Sequence, residues 1–230
     1  MAGLVIAFEG IDGSGKGVQV NEIADRLKNA GSRVLIQDFP VYSGFYGKEI
    51  GKMLSGEHSV RADLVDPKSM SLWYALDRHE ALKNIDRDAY DYILFNRSTL
   101  SNAAYQSFRV KPEERDEFIT WLFELEYDRL GVWQPDLYFI FDVSEELSRK
   151  NVARKGQRDY LNSTHDVYEE SQTIMSHARS VYLRQAEQHC HIYVVPCMDE
   201  EGNFKSIEEI SSFVMKVISE YAAIQTADGK

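Results

Sequence analysis

The chain has 230 residues, 43% of them hydrophobic, enough to bury a substantial core in one α/β domain. Its formal net charge of −11 lacks the basic excess of a protein that neutralises nucleic-acid phosphates, so any anionic ligand must meet a local basic site. No stretch approaches the roughly eighteen apolar residues of a membrane span, and MAGLVIAFEG has no basic region before its apolar run, so a soluble, cytoplasmic protein is expected.

LVIAF (4–8) is a short, continuous apolar run that fits a strand covered on both faces. It leads into Gly10-Ile11-Asp12-Gly13-Ser14-Gly15-Lys16, which satisfies GxxxxGK between a strand and a helix. Backbone N–H groups of such a loop, with a helix N-terminus behind them, cradle phosphate oxygens, and the lysine reaches the β- and γ-phosphates. The hydroxyl that usually follows the lysine and ligates Mg²⁺ is missing, because Gly17 and Val18 stand there. Val18, Val20, Ile23, Ala24 and Leu27 give the next helix its apolar stripe, and Gly31 supplies a stop.

RVLIQDF (33–39) reads as the second strand, followed by a long, partly helical excursion over 40–88. Within it Tyr74 and Arg78 lie one turn apart, an aromatic face and a guanidinium suited to a nucleobase. YDYILF (90–95), DLYFIFDV (136–143) and HIYVVP (191–196) read as further strands, separated by helical stretches at 112–130, 144–155, 167–188 and 206–222. This alternation predicts a parallel sheet with helices on both faces. Arg97 directly follows a buried strand, at the sheet edge where a fork-shaped cation can clamp a phosphate. RKNVARKGQRD (149–159) is a basic excursion after the fourth strand, of the kind that closes over a nucleotide during phosphoryl transfer.

Cys190 and Cys197 are the only cysteines and give no disulfide scaffold. His189-Cys190-His191 falls short of the three or four convergent ligands zinc needs. The tail AAIQTADGK is expected to fray.

Several motifs in consistent order resemble the thymidylate kinase family. FEGIDGSGKGVQ is similar to the family's opening, with Asp12 as the acidic residue inside the loop, and VDPKSMSLWYALDRHE (65–80) to its segment ending in A-x-DR. Phe39-Pro40 and Leu54-Ser55-Gly56 fit the same frame, NRSTLSNAAYQS (96–107) resembles DRY…S…AYQ, and QPDLYFIFDV (134–143) resembles the PDL strand. The resemblance implies a three-layer P-loop NTPase fold with a five-stranded parallel sheet, a monophosphate-binding excursion over about 40–88 and a lid over about 149–166. The activity it implies is transfer of the γ-phosphoryl group of ATP, as the Mg²⁺ complex, to dTMP by a homodimeric enzyme.

The resemblance also distributes roles. Gly10, Gly13, Ser14, Gly15, Lys16, Gly17 and Val18 would hold the donor phosphates, and Arg97 the acceptor phosphate. Phe39 would wall the base pocket, Tyr74, Arg78 and Gln106 would read the base, Tyr105 would lie under the sugar, and Asp12 would face the 3′-hydroxyl. With glycine at position 13 the catalytic arginine belongs to the lid rather than the loop, so Arg149, Arg154 and Arg158 are candidates. The chain departs from the family pattern at Gly17, which the GKG form of other nucleoside monophosphate kinases tolerates, and at Val18. It departs again at Asn96, where the family has a metal-holding aspartate and an amide would act only weakly, through water. Val41 and Tyr42 stand where relatives carry a phosphate-binding arginine, and DYLNSTHDVYEE (159–170) departs from the usual lid spacing. Two alternatives stay open: a kinase for dUMP, UMP, dCMP or a deoxynucleoside, Asn96-Arg97-Ser98 being similar to the ERS of deoxynucleoside kinases, or a nucleotide-binding homologue with weakened turnover.

Overall fold

The computed structural model describes residues 3–56, 61–155 and 172–227. Five parallel strands, β1 (Leu4–Glu9), β2 (Val34–Asp38), β3 (Tyr92–Asn96), β4 (Leu137–Asp142) and β5 (Ile192–Pro196), lie in the order β2-β3-β1-β4-β5. Sheet position explains the strand patterns. Central β1 buries Val5, Ile6, Ala7 and Phe8 completely, because helices cover both faces. Edge strand β2 is only half-buried, and β5, at the other edge, buries only Ile192 and Val195 of its five residues.

The helices are α1 (Lys16–Asn29), α2 (Phe45–Ser55), α3 (Pro67–Leu82), α4 (Thr99–Gln106), α5 (Arg115–Phe123), α6 (Glu145–Lys155), α7 (Gln172–Gln188) and α8 (Ile207–Ala227). α1 packs against α8, while α4 packs against α7, α3 and α5. α1 stops where expected: Gly31 takes φ of 90° and Ser32 N–H reaches back to the Leu27 carbonyl. Of its expected stripe, Val20, Ile23, Ala24 and Leu27 are buried, whereas Val18 faces outward.

The excursion over 40–88 contains α2 and α3. The start of α3 is set by Asp66, whose carboxylate accepts from Ser69 N–H at 3.0 Å, with Pro67 in the first turn. Two expectations need correction. The stretch 112–130 is not one α-helix, because α5 widens into a π-helical segment at Glu124–Arg129, which turns Glu126 inward. The tail does not fray at residue 222, because α8 continues to Ala227. Residues 167–171, expected to open the seventh helix, fall outside the described residues, as does the lid beyond residue 155.

α4 is buried along its whole length, squeezed between α3 and α7. Just past it Ser107 meets His177 of α7, Oγ to Nε2 at 2.9 Å, and the Phe108 ring stands 5.6 Å from the imidazole. Burial, with Arg115 and Arg184 nearby, pushes the His177 imidazole down to about 4. The folded state therefore holds it neutral, while the unfolded chain takes up its proton near about 6.5. Stability from neutral His177 is complete above that pH and falls as pH drops toward 4, by less than about 1.4 kcal/mol per pH unit because the ring is only half-buried. Urea midpoints measured from pH 7.5 to 4.5 are expected to decline less steeply in His177→Gln than in the wild type.

Candidate active site

β1 delivers the glycine loop to the carboxyl edge of the sheet, where a cavity of about 420 Å³ opens. The loop is fastened from outside by the first turns of α6. Ser148 Oγ donates to the Asp12 carbonyl, and Asn151 Nδ2 donates to the Gly13 carbonyl at 2.9 Å. Gly13 has φ of 75°, and a Cβ there would stand 2.3 Å from the Ser148 carbonyl oxygen. No side chain fits at this position without displacing α6.

Lys16 is buried beneath the loop, Nζ 3.2 Å from the Ile11 carbonyl and 4.0 Å from Asp12 Oδ1. Arg97 Nη2 donates to the same Asp12 oxygen at 2.7 Å, and Tyr105 OH donates to Oδ2 at 3.3 Å. Two cations thus share one carboxylate oxygen, one beneath the glycine loop and one on the far side. Arg97 also donates to Ser101 Oγ at 3.1 Å, with its guanidinium carbon 5.3 Å from the Tyr105 ring centre. Its backbone takes φ of 72°, a left-handed conformation that costs a non-glycine residue on the order of 1–2 kcal/mol. Hydrogen bonds hold the turn: Arg97 N–H reaches the Phe8 carbonyl at 3.0 Å, and Ser98 caps α4. Burial pulls the Arg97 pKa down, but Asp12, Tyr105, Tyr182 and Glu9 outweigh it and raise it well above the usual value.

Two buried carboxylates stand behind the lining. Glu9, at the end of β1, accepts from Ser98 Oγ at 2.6 Å, Ser101 Oγ at 2.5 Å and Tyr182 OH at 3.0 Å. Glu126 accepts from Arg78 Nε and Nη2, both at 2.6 Å, from Thr99 Oγ1 at 2.9 Å and from Asn102 Nδ2 at 3.2 Å. Arg78 is 2% exposed. Burial works against its charge, yet Glu126 more than compensates and its pKa rises. Arg78 lines the cavity and its guanidinium carbon is 5.9 Å from the Phe39 ring centre. Beside it Asp77 accepts from Val41 N–H, at 3.2 and 3.0 Å to its two oxygens, and so fixes the Phe39-Pro40-Val41 turn. Burial pushes the Asp77 carboxyl above its usual range against the pull of that N–H.

Asn96 ends β3 directly opposite Asp38 at the end of β2. Its Nδ2 donates to Asp38 Oδ1 at 2.8 Å, and its Oδ1 is buried without a partner among the described residues. These oxygen donors suit a hard cation such as Mg²⁺, which keeps most of its waters and takes one or two carboxylates plus phosphate oxygens. Among the described residues no three His, Cys, Asp or Glu side chains converge to hold an ion.

A sequence profile of thymidylate kinases matches residues 8–206. The chain belongs to the thymidylate kinase family. A thymidylate kinase of Mycobacterium tuberculosis (strain CDC 1551 / Oshkosh) is 31% identical over 188 residues, covering 80% of this chain and 86% of that one. One from Prochlorococcus marinus (strain NATL1A) is 28% identical over 235 residues, covering 95% and 99%. In fold, the chain is similar to the solved thymidylate kinase of Candida albicans, with a TM-score of 0.72 at 21% identity over 96% of this chain and 93% of that one.

In this thymidylate kinase family member the cavity gathers most of the residues singled out from sequence. Asp12, Gly13, Gly15, Lys16 and Gly17 line its loop side. Phe39, Tyr74 and Arg78 line the excursion side, and Asn96, Arg97, Tyr105 and Gln106 the side formed by β3 and α4. Gln106 is anchored by accepting from Arg109 Nη2 at 3.1 Å. Gly10 and Ser14 support the loop without lining the cavity, and Val18, 44% exposed, does not line it either. Arg149 is exposed on α6; the side chain of Arg154 and all of Arg158 fall outside the described residues.

Sequence reasoning missed Asp38, Glu126, Ser148 and Asn151, and gave Glu9 no role beyond its place in FEG. A carboxylate that ends a continuous apolar strand was a readable signal for Glu9. Glu124 and Glu126 look alike in sequence, and only the π-helical segment separates the exposed one from the buried one. Replacing Glu126 by Gln leaves Arg78 buried without its counter-ion and is expected to lower stability by about 3–5 kcal/mol in urea titrations. The double variant Arg78→Met, Glu126→Leu is expected to regain most of that loss, and one that stays as unstable as Glu126→Gln would place the defect elsewhere.

Proposed function

We propose that this enzyme phosphorylates dTMP to dTDP, with ATP as donor in its Mg²⁺ complex. The observation that carries the proposal is the Asp12 oxygen shared by Lys16 and Arg97, because it sets a donor-phosphate cation beside an acceptor-phosphate cation in one cavity. An oxygen of the dTMP phosphate forms the new bond to the γ-phosphorus. The bond from that phosphorus to the oxygen bridging the β-phosphate breaks, and ADP leaves.

Lys16 and the loop N–H groups hold the donor phosphates. Arg97 exchanges its contact with Asp12 for the acceptor phosphate, and Tyr105 lies under the deoxyribose. Phe39, Tyr74, Arg78 and Gln106 enclose the base, with Arg78 held in one orientation by Glu126. Mg²⁺, which Asn96 would hold through water, would supply charge neutralisation on the transferring group. Arg149, Arg154 and Arg158 are the cations proposed to close over it. Most of the rate in such a reaction comes from positioning and electrostatics.

A coupled assay of ADP release with Mg²⁺ and ATP across dTMP, dUMP, UMP, dCMP, CMP and thymidine is expected to show a clear preference for dTMP. Nucleotide binding without turnover on any acceptor would favour the weakened homologue instead. Arg97→Ala is expected to lower kcat/KM for dTMP by about 100-fold or more while leaving ATP affinity within a few-fold of the wild type.

A cytoplasmic homodimer completes this reading. It is supported by the family and by Phe45, Leu64 and Leu72 on the stretch from α2 to α3, which are 68%, 73% and 41% exposed. Size-exclusion chromatography with light scattering is expected to give twice the chain mass, and a monomer would remove the claim.

A further inference from the structure

Gly17 leaves no hydroxyl directly after the loop lysine, and Asn96 leaves no carboxylate at the end of β3. The structure shows what stands there instead. Asp38 and Asn96 are paired residues at the carboxyl ends of neighbouring parallel strands, joined by the bond from Asn96 Nδ2 to Asp38 Oδ1 at 2.8 Å. Both line the cavity together with Lys16 and Gly17. A Cβ on Gly17 would come within 3.8 Å of Asn96 Nδ2, so the place of the missing hydroxyl opens onto this pair.

We propose that Asp38 is the metal-positioning carboxylate of this enzyme, moved one strand over from position 96. The inference rests on the kinase reading above. Neighbouring strands are about 4.8 Å apart, and a carboxylate acting through a metal-bound water has that reach, because such a water lies about 2.1 Å from Mg²⁺ and donates to a carboxylate oxygen about 2.7 Å away. Asn96 completes the arrangement. Its amide nitrogen orients Asp38, and its buried Oδ1, unpartnered among the described residues, is an acceptor suited to a water of the metal's shell. A purely structural role for Asp38 predicts the same hydrogen bond and nothing else.

The test separates the two. Mn²⁺, read by its EPR signal, is titrated into the full-length protein saturated with ADP. Asp38→Asn keeps the shape and a bond to residue 96 and removes the charge, and is expected to weaken Mn²⁺ affinity about 10-fold or more, with metal-free ADP affinity unchanged. Asp38→Ser, at the same exposed position, is expected to do the same. Adding Asn96→Asp to Asp38→Asn returns the carboxylate to the neighbouring strand and is expected to restore Mn²⁺ affinity. Wild-type affinity in both single variants, or no recovery in the double variant, overturns the inference and leaves the kinase reading standing. A wild-type protein that binds neither ADP nor Mn²⁺ with ADP overturns both.

Discussion

Everything at the site leans on Glu9, a carboxylate with no exposed surface at the end of the central strand. Burying such a group is costly unless both of its oxygens find donors. Three hydroxyls supply them: Ser98 and Ser101 at the start of α4, and Tyr182 on α7. This requirement fixes the register of two helices against the strand that feeds the phosphate loop. Ser101 also accepts from Arg97, so the same network that satisfies Glu9 sets where the Arg97 guanidinium stands. The left-handed turn at Arg97 is held by the elements Glu9 draws together.

The cavity's two arginines are treated in opposite ways. Arg78 and Glu126 are 3% and 0% exposed at their side chains, with two bonds of 2.6 Å between them. Such a pair is closed to exchange, because separating it would strand a charge in the interior. Arg97 and Asp12 are 18% and 12% exposed and share one bond of 2.7 Å. A phosphate can replace that carboxylate without leaving either group dry. One arginine is thus a fixed part of the cavity wall, and the other is a cation able to change partners when an anion enters.

Sequence disclosed the parts whose causes are local. Continuous apolar runs marked the strands to within a residue or two, and glycine spacing marked the loop. The distance from Tyr74 to Arg78 marked a helix face turned to the cavity. What stayed hidden depends on distant contacts. Glu126 reaches Arg78 across 48 residues, and Ser148 reaches the loop across 136. Asp38 was one unremarked letter of RVLIQDF, and only the register of β2 on β3 sets it opposite Asn96. Val18 shows the same limit from the other side. Its place after Gly17 suggested a part in the cavity, but the rotation of α1 turns it outward.

The contact between Gly13 and Ser148 also governs how this enzyme can change over generations. Any residue larger than glycine at position 13 must first make room beside the Ser148 carbonyl oxygen. Here a single substitution to arginine meets the α6 backbone before it can reach a phosphate. A side chain at this position therefore needs a compensating shift of α6, so position 13 and the start of α6 are bound to change together. The packing of one helix against one glycine thus couples the history of two segments 135 positions apart in the chain.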